Sequence, residues 1–202
     1  MRAAFSKYSK IENTSGLAGA QVAEQILTHN GIDDVQVVRV QGDMTDHYNP
    51  GNRTVNLSES VFGSRSVSAE AVAAHEVGHV TQHTCSYFPL KLRSAIWPVA
   101  QFATNVWWIL LLVGVILGAI GLAYFAVALF AAVIVFQLVT LPVEFNASRR
   151  AKKQLQELDI VDENSSDTKG AQTVLRAAAM TYVAAALASL LTLFYYLTIL
   201  RR

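Results

Sequence analysis

The hydrophobic residues of the chain are concentrated in long runs that contain almost no charge. Between Ile96 and Phe145 the only charged side chain is Glu144. This stretch is too long for a single membrane span, and three glycines near its middle offer a turn. The pattern therefore predicts two transmembrane helices, about Trp97 to Leu117 and about Leu122 to Leu141, which form a tight hairpin.

A third apolar run, about Ala177 to Leu200, is also long enough to cross a bilayer. Its first half is rich in alanine, which allows close helix packing in lipid, and its second half is rich in leucine, which suits contact with lipid tails. The alternative is a large buried helix of a soluble protein. Three runs of this length favour a multi-pass membrane protein.

The first part of the chain has the mixed pattern of a small α+β module. Ser15 to Asn30 is predicted as a helix that ends at Gly31, and Asp34 to Val40 and Arg53 to Ser58 are predicted as strands. A helix from Ser68 to Thr84 follows. The expected fold is thus a membrane α+β protein, with this module joined to a transmembrane hairpin and a third, C-terminal transmembrane helix.

Four regions follow from these patterns. They are a soluble module at 1–95, a transmembrane hairpin at 96–142, a helix and loop at 143–170, and a C-terminal transmembrane helix at 171–202.

The composition agrees with a membrane protein and argues against nucleic-acid binding and against an intrachain disulfide. The 202 residues are 52% hydrophobic and only 15% charged, and the net charge of +1 gives no basic footprint for nucleic acid. A single cysteine, Cys85, excludes an intrachain disulfide and fits a reducing compartment. Residues 1–30 contain no apolar stretch typical of a signal peptide, so none is expected.

The distribution of positive charge predicts the orientation. Lysines and arginines flank both ends of the predicted hairpin: Lys91 and Arg93 before it, and Arg149, Arg150, Lys152 and Lys153 after it. Positive residues collect on the cytoplasmic side, so both ends of the hairpin should face the cytoplasm. Arg201 and Arg202 would then lie on the opposite side, which conflicts mildly with the rule, but the larger cluster decides.

The helix at 68–84 contains the sequence His75-Glu76-Val77-Gly78-His79, an HExxH motif. Residues four apart share one face of a helix, so His75 and His79 can reach one zinc ion at roughly 2.0 to 2.1 Å, while Glu76 faces the metal-bound water. Zinc lowers the pKa of that water to near 7, and a neighbouring carboxylate takes its proton as it attacks a carbonyl. The predicted reaction is peptide-bond hydrolysis, with one zinc ion per chain.

The context of the motif supports this interpretation. The surrounding helix is apolar enough to be buried, and polar side chains in an apolar interior need a partner such as a metal. A glycine within a helix costs about 1 kcal/mol relative to alanine, so Gly78 indicates a close approach of another backbone or a ligand. The alternative is that both histidines are ordinary core or surface residues.

A catalytic zinc usually has three protein ligands and one position for water. His83 would extend the motif, but on a continuous helix it lies roughly 12 Å along the axis from His75 and cannot join the other two ligands. Glu144 is the stronger candidate, because an unpaired carboxylate at the end of a membrane span is costly and a cation stabilises it.

A strand beside the zinc helix would have a functional use. The second predicted strand, Thr54 to Ser58, is a candidate edge strand that pairs with an extended substrate, although a strand paired on both sides is equally consistent with the sequence. His47 is a candidate donor to the reacting carbonyl oxygen.

Several motifs together resemble those of the YugP-type family of membrane zinc metallopeptidases. They are the HEVGH sequence, Lys7 to Lys10, Thr45 to Tyr48 and Leu141 to Ser148. The resemblance covers nearly the whole chain. It implies zinc at His75 and His79 with Glu76 as the base, in a multi-pass protein of the bacterial plasma membrane with a cytoplasm-facing, zincin-like module.

A more distant similarity links Glu144 to Ala147 with the Glu-aromatic-x-Ala-Asp element of the HtpX and CAAX prenyl protease families, in which the glutamate is the third zinc ligand. Ser148 stands where those families have aspartate, so the role of that aspartate is not carried over. Family members usually begin with a membrane helix, and this sequence shows none at its start.

The sequence therefore predicts a zinc-dependent membrane endopeptidase that acts on peptide or protein substrates at a lipid bilayer. A site-2-type protease is disfavoured, because the HExxH helix precedes the apolar runs and no Leu-Asp-Gly motif follows. The alternative from another class is a non-catalytic membrane scaffold that retains zinc. The substrate and the oligomeric state are open.

Overall fold

A computed structural model describes residues 1–201 of the chain. The second of the two C-terminal arginines, Arg202, for which an orientation was predicted, lies outside the described residues. Within them the order of elements is α1 (Arg2–Tyr8), α2 (Gly19–His29), β1 (Gln36–Val40), β2 (His47–Asn49), β3 (Thr54–Ser58), α3 (Glu59–Phe62), α4 (Val67–Thr84), α5 (Phe88–Ile116), α6 (Ile120–Glu157) and α7 (Ser166–Leu200). The fold is mostly helical, with one small sheet.

The chain divides into two compact units, and the divisions fall inside α6 and α7. The first unit comprises Met1–Tyr87 and Glu144–Met180. The second comprises Phe88–Val143 and the chain from Thr181 onward.

Helix α2 begins four residues later than the sequence predicts. The amide of Asn13 donates to the carbonyl of Arg65 (2.9 Å), and the amide of Gly19 donates to the carbonyl of Ser64 (3.1 Å). These bonds tie the preceding segment to the loop before α4, so that segment is not helical. The helix itself packs its apolar side, including Val22 and Ile26, into the core of the first unit.

The sheet has three strands in the order β1-β3-β2, with β1 parallel and β2 antiparallel to β3. The sequence predicted two strands, and β2 was missed because three residues are too few to show an alternating pattern. β3 is the central strand, so of the two alternatives for Thr54 to Ser58 the edge strand is wrong and the strand paired on both sides is confirmed. The Asp46 carboxylate, just before β2, links that strand to the end of β3, because it accepts from the amide (2.7 Å) and hydroxyl (3.0 Å) of Ser58. Burial raises the pKa of Asp46, and the bonds from Ser58 offset part of this rise.

Helix α4 runs through the core of the first unit. Ser66 is its N-cap, with the side-chain oxygen accepting from the amide of Ala69 (3.3 Å). Glu70, in the first turn, is fully buried and accepts from the Ser15 hydroxyl (3.2 Å). Burial raises the pKa of Glu70 to about 7; the Ser15 bond opposes this rise and the nearby Asp167 charge adds to it.

Three helices are long and apolar enough to cross a membrane: α5, α6 and α7, with 29, 38 and 35 residues. Each extends beyond its predicted span, because a search for apolar runs finds only the apolar part of a helix. α6 continues past Leu141 into a polar segment, and α7 begins at Ser166 instead of Ala177. Gly118 adopts a left-handed conformation (φ +63°) between α5 and α6, as the predicted turn requires.

Helix packing in the second unit centres on aromatic residues. Trp107 of α5 stacks on Phe130 of α6, with ring centroids 4.3 Å apart, and meets Tyr196 of α7 edge-on at 6.0 Å. Near the α5–α6 turn, Gly114 lies directly against the backbone of Ala123, which allows the two helices to approach closely.

Candidate metal centre

His75 and His79 project from one face of α4, one turn apart. Their rings meet nearly at right angles (83°) with centroids 4.8 Å apart. Both side chains are mostly buried, with 12% and 13% of their surface exposed. The pair therefore has the geometry that HExxH spacing predicts for two nitrogens facing one point.

Glu144 of α6 completes the group. Its Oε2 lies 3.3 Å from the Nε2 of His75 and 3.7 Å from the Nε2 of His79. One ligand atom from each of the three residues lies within 4.8 Å of the others. The structure thus brings together the three side chains that the sequence analysis proposed as metal ligands.

The donor set fits a catalytic zinc. Zinc bonds to nitrogen and oxygen of roughly 2.0 to 2.2 Å in tetrahedral geometry require ligand atoms about 3.3 to 3.5 Å apart. The Oε2 atom of Glu144 is 3.3 and 3.7 Å from the two histidine nitrogens, close to this requirement. Two imidazoles and one carboxylate are a known catalytic set, and they leave one coordination position for water.

A chain of hydrogen bonds fixes the tautomer of His79. The Arg150 guanidinium can only donate, so the Asn146 oxygen that it contacts (2.8 Å) is an acceptor. That oxygen also accepts from the Gln82 amide nitrogen (3.0 Å), which turns the Gln82 oxygen toward the Nδ1 of His79 (3.0 Å). An amide oxygen only accepts, so Nδ1 carries the proton and Nε2 presents its lone pair to a metal.

His75 has a corresponding contact on its Nδ1. The hydroxyl of Ser148 lies 3.3 Å from that nitrogen. The Ser148 hydroxyl provides an uncharged partner for the ring. No local pattern in the sequence could indicate the contact of Ser148, which lies 73 residues from His75. Gln82 is three residues after His79 on the same helix, a spacing that places the two side chains side by side, and this signal was missed.

Glu76 is buried beside the group. The backbone amide of Tyr48, in β2, donates to its Oε2 (3.0 Å). This bond fixes the direction of the carboxylate next to the two histidines. The missed strand β2 therefore has a direct effect on the site.

The other two histidines considered from sequence lie outside the three-residue group. The exposed His47 has its Nδ1 2.8 Å from the carbonyl oxygen of Thr45. His83 has its Nδ1 2.8 Å from the hydroxyl of Tyr48. α4 is continuous from Val67 to Thr84, so His83 is displaced along the axis as the sequence analysis expected.

Negative charge surrounds the two histidine nitrogens that face Glu144. Burial by itself lowers the pKa of His79, but the adjacent carboxylates of Glu144 and Glu76 raise it overall. A site with this electrostatic character favours a bound cation.

Gly78 explains how α4 and α6 come close enough to share the site. A Cβ atom at this position would lie 2.6 Å from the carbonyl oxygen of Ala147, on the backbone of α6. The prediction that Gly78 marks a close backbone approach is confirmed. Ala147 stands between Glu144 and Ser148, both of which contact the histidines.

Replacing Gly78 with alanine should therefore separate the two helices. We expect overpacking to destabilise the protein by about 1 to 3 kcal/mol. Zinc binding should weaken by about 10- to 100-fold, as when groups that position metal ligands are changed. Both are measured on purified protein, by thermal unfolding and by zinc titration.

Gly121→Ala is the matched control, because a Cβ at that helical glycine meets nothing within 4 Å. Alanine gains about 1 kcal/mol of helix propensity at Gly78, in a helix interior, and less at Gly121, in the first turn of α6. If Gly78→Ala behaved like Gly121→Ala in both measurements, the close approach at Ala147 would not support the site.

Comparison with known proteins identifies the family of the chain. Residues 1–201 match the model of a family described as "Putative neutral zinc metallopeptidase". The chain is 50% identical over 195 residues to a Bacillus subtilis (strain 168) protein named "Putative membrane protease YugP", a match that covers 96% of this chain and 86% of that protein. No solved structure matches the chain. The family resemblance indicated by the sequence motifs is confirmed, and the chain belongs to this zinc metallopeptidase family.

Proposed function

We propose that the protein is a zinc-dependent endopeptidase of the membrane. The observation that carries the proposal is the convergence of the His75 and His79 Nε2 atoms on Oε2 of Glu144, at 3.3 and 3.7 Å. Three ligands that leave one position for water are typical of catalytic zinc, whereas structural zinc sites are closed by a fourth protein ligand. This difference favours an enzyme over a scaffold.

Each residue of the site has a separate role in the proposed hydrolysis. When bound, zinc makes a water molecule acidic near neutral pH and polarises the peptide carbonyl. Glu76, held by the Tyr48 amide, accepts the proton of the attacking water and returns it to the leaving amine. Gln82 and Ser148 keep the two imidazoles in the orientation that the metal requires.

An extended substrate has a suitable place at β2. Within the described residues this strand is at one end of the sheet order, paired with β3 alone, and the Tyr48 amide faces Glu76 on the other side. A peptide placed along β2 would lie next to the base and the metal ligands, and it would pair with main-chain groups other than the Tyr48 amide, which Glu76 occupies. β2 thus replaces β3 as the strand proposed to pair with substrate. His47, also on β2, stays a candidate, from the sequence alone, for a hydrogen-bond donor to the reacting carbonyl oxygen.

The test is removal and return of the metal. Detergent-purified protein treated with a strong chelator should lose hydrolysis of a quenched peptide library, and added zinc should restore it. We expect about one zinc per chain. Protein that holds zinc but cleaves no peptide in the library would favour the scaffold alternative.

We further propose that the active site faces the cytoplasm and that α5, α6 and α7 each cross the membrane. The hairpin of α5 and α6 has Lys91 and Arg93 near one end and a basic cluster up to Lys153 near the other. A topology reporter fused after Lys153 should therefore report a cytoplasmic location, whereas one at Gly118 should report the opposite side. A reporter after Lys153 on the outer side would reverse the orientation.

A further inference from the structure

We propose that Tyr48 is a catalytic residue of the peptidase: its hydroxyl donates a hydrogen bond to the substrate carbonyl oxygen as negative charge develops there. His83 is the residue that positions this hydroxyl. The inference rests on the proposed peptidase function. Neither Tyr48 nor His83 is among the three proposed metal ligands.

Two contacts fix the path of the Tyr48 side chain. At its base, the backbone amide of Tyr48 lies 3.0 Å from the carboxylate of Glu76. At its tip, the hydroxyl lies 2.8 Å from the Nδ1 of His83. Glu76 and His83 are seven residues apart on α4, roughly 10 Å along the axis, so the tyrosine ring follows the helix between them.

His79 lies within that interval, three residues after Glu76 and four before His83. Residues 75, 79 and 83 are spaced by four and share one side of the helix. The phenol is therefore beside the face of α4 that presents the metal ligands and the base. In this proposal the attacked carbonyl lies between the ligand nitrogens and this phenol.

The chemistry of the pair suits donation. Burial raises the pKa of Tyr48; the Arg53 charge lowers it, and the Asp34 charge adds to the rise. The phenol thus keeps its proton at neutral pH. With a proton on Nδ1, His83 donates to the phenolic oxygen, and the phenolic hydrogen is left to point at substrate.

The neighbouring His47 is less suited to the same task. Its Nδ1 contacts a carbonyl oxygen, which only accepts, so the neutral ring carries its proton on Nδ1 and has none on Nε2. Adjacent residues of a strand also point to opposite faces, so His47 is directed away from the side on which Tyr48 meets α4.

The experiment compares Tyr48→Phe with wild type in the zinc-loaded, detergent-purified full chain. Loss of one oxyanion donor typically lowers kcat by about 10²- to 10³-fold, and we expect a loss in this range with KM nearly unchanged. Affinity for a phosphinic peptide, which mimics the tetrahedral geometry, should fall by a similar factor, while zinc per chain stays at the wild-type value.

Two further variants separate positioning from general damage. His83→Leu should lower kcat by about 10-fold or more without loss of zinc, because the phenol is retained but no longer held. Tyr87→Phe removes a phenol from the segment after α4 and should leave kcat and inhibitor affinity at wild-type values.

Full kcat and full phosphinic-peptide affinity in Tyr48→Phe would overturn the inference while the peptidase function stands. Loss of phosphinic-peptide affinity in His47→Gln but not in Tyr48→Phe would also overturn the inference. A zinc-loaded wild type that hydrolyses no peptide would overturn both proposals.

Discussion

Glu76→Gln is expected to retain zinc and to lose nearly all peptidase activity, by roughly 10²- to 10⁴-fold, the range for loss of a general base. Glutamine keeps the size of the side chain and an oxygen that can accept from the Tyr48 amide, so the local geometry is preserved. What is lost is the ability to take a proton. The measurement is kcat on a cleavable peptide, together with zinc per chain.

Glu24→Gln on α2 provides the control, because it neutralises an exposed carboxylate outside the site. It should match wild type in both measurements. Normal turnover by Glu76→Gln, in a preparation shown to be free of other proteases, would exclude Glu76 as the base.

Glu144→Ala is expected to lower zinc occupancy strongly. It leaves two histidines, which are too few for tight binding, and it removes the carboxylate at which both Nε2 atoms converge. His83→Ala should leave zinc occupancy nearly unchanged, because α4 is unbroken and carries His83 roughly 12 Å beyond His75. Zinc per chain in the purified variants distinguishes the two.

His83→Ala also serves as the control for general damage in Glu144→Ala, since each removes a polar side chain near α4. The reverse pattern, with zinc lost in His83→Ala and kept in Glu144→Ala, would make His83 the third ligand. It would also require the helix to break between His79 and His83, contrary to the continuous α4 described here.

The parts of the site that the sequence predicts are those with a local or compositional signal. His75 and His79 follow from a four-residue spacing, and Glu144 follows from being the one charge in a long apolar run. Gln82 had a local signal that was not used, its three-residue spacing from His79, whereas Ser148 has none. Ser148 lies 73 residues from the histidine that it contacts, and only the folded chain brings them together.

The same limit applies to the fold. The long apolar helices were found because their length and composition are unusual, although their polar extensions were not. β2 escaped prediction, and with it the true order of the sheet, because a three-residue strand is defined by its partner and not by its own pattern. Its effect is large, since Tyr48 contacts Glu76 from this strand.

The buried carboxyl of Glu70 changes how a pH–rate profile of the proposed peptidase should be interpreted. Its pKa is about 7 in the folded protein against an ordinary value of 4.5, so the folded state holds a proton that the unfolded chain has already lost. The resulting stabilisation, roughly 3 kcal/mol, is complete below pH 4.5 and disappears as the pH rises through 7. Glu70 is on the same helix as the proposed zinc ligands, so a change in rate between about pH 4.5 and 7 reports loss of folded protein together with any catalytic ionisation, and only rates taken before inactivation separate the two.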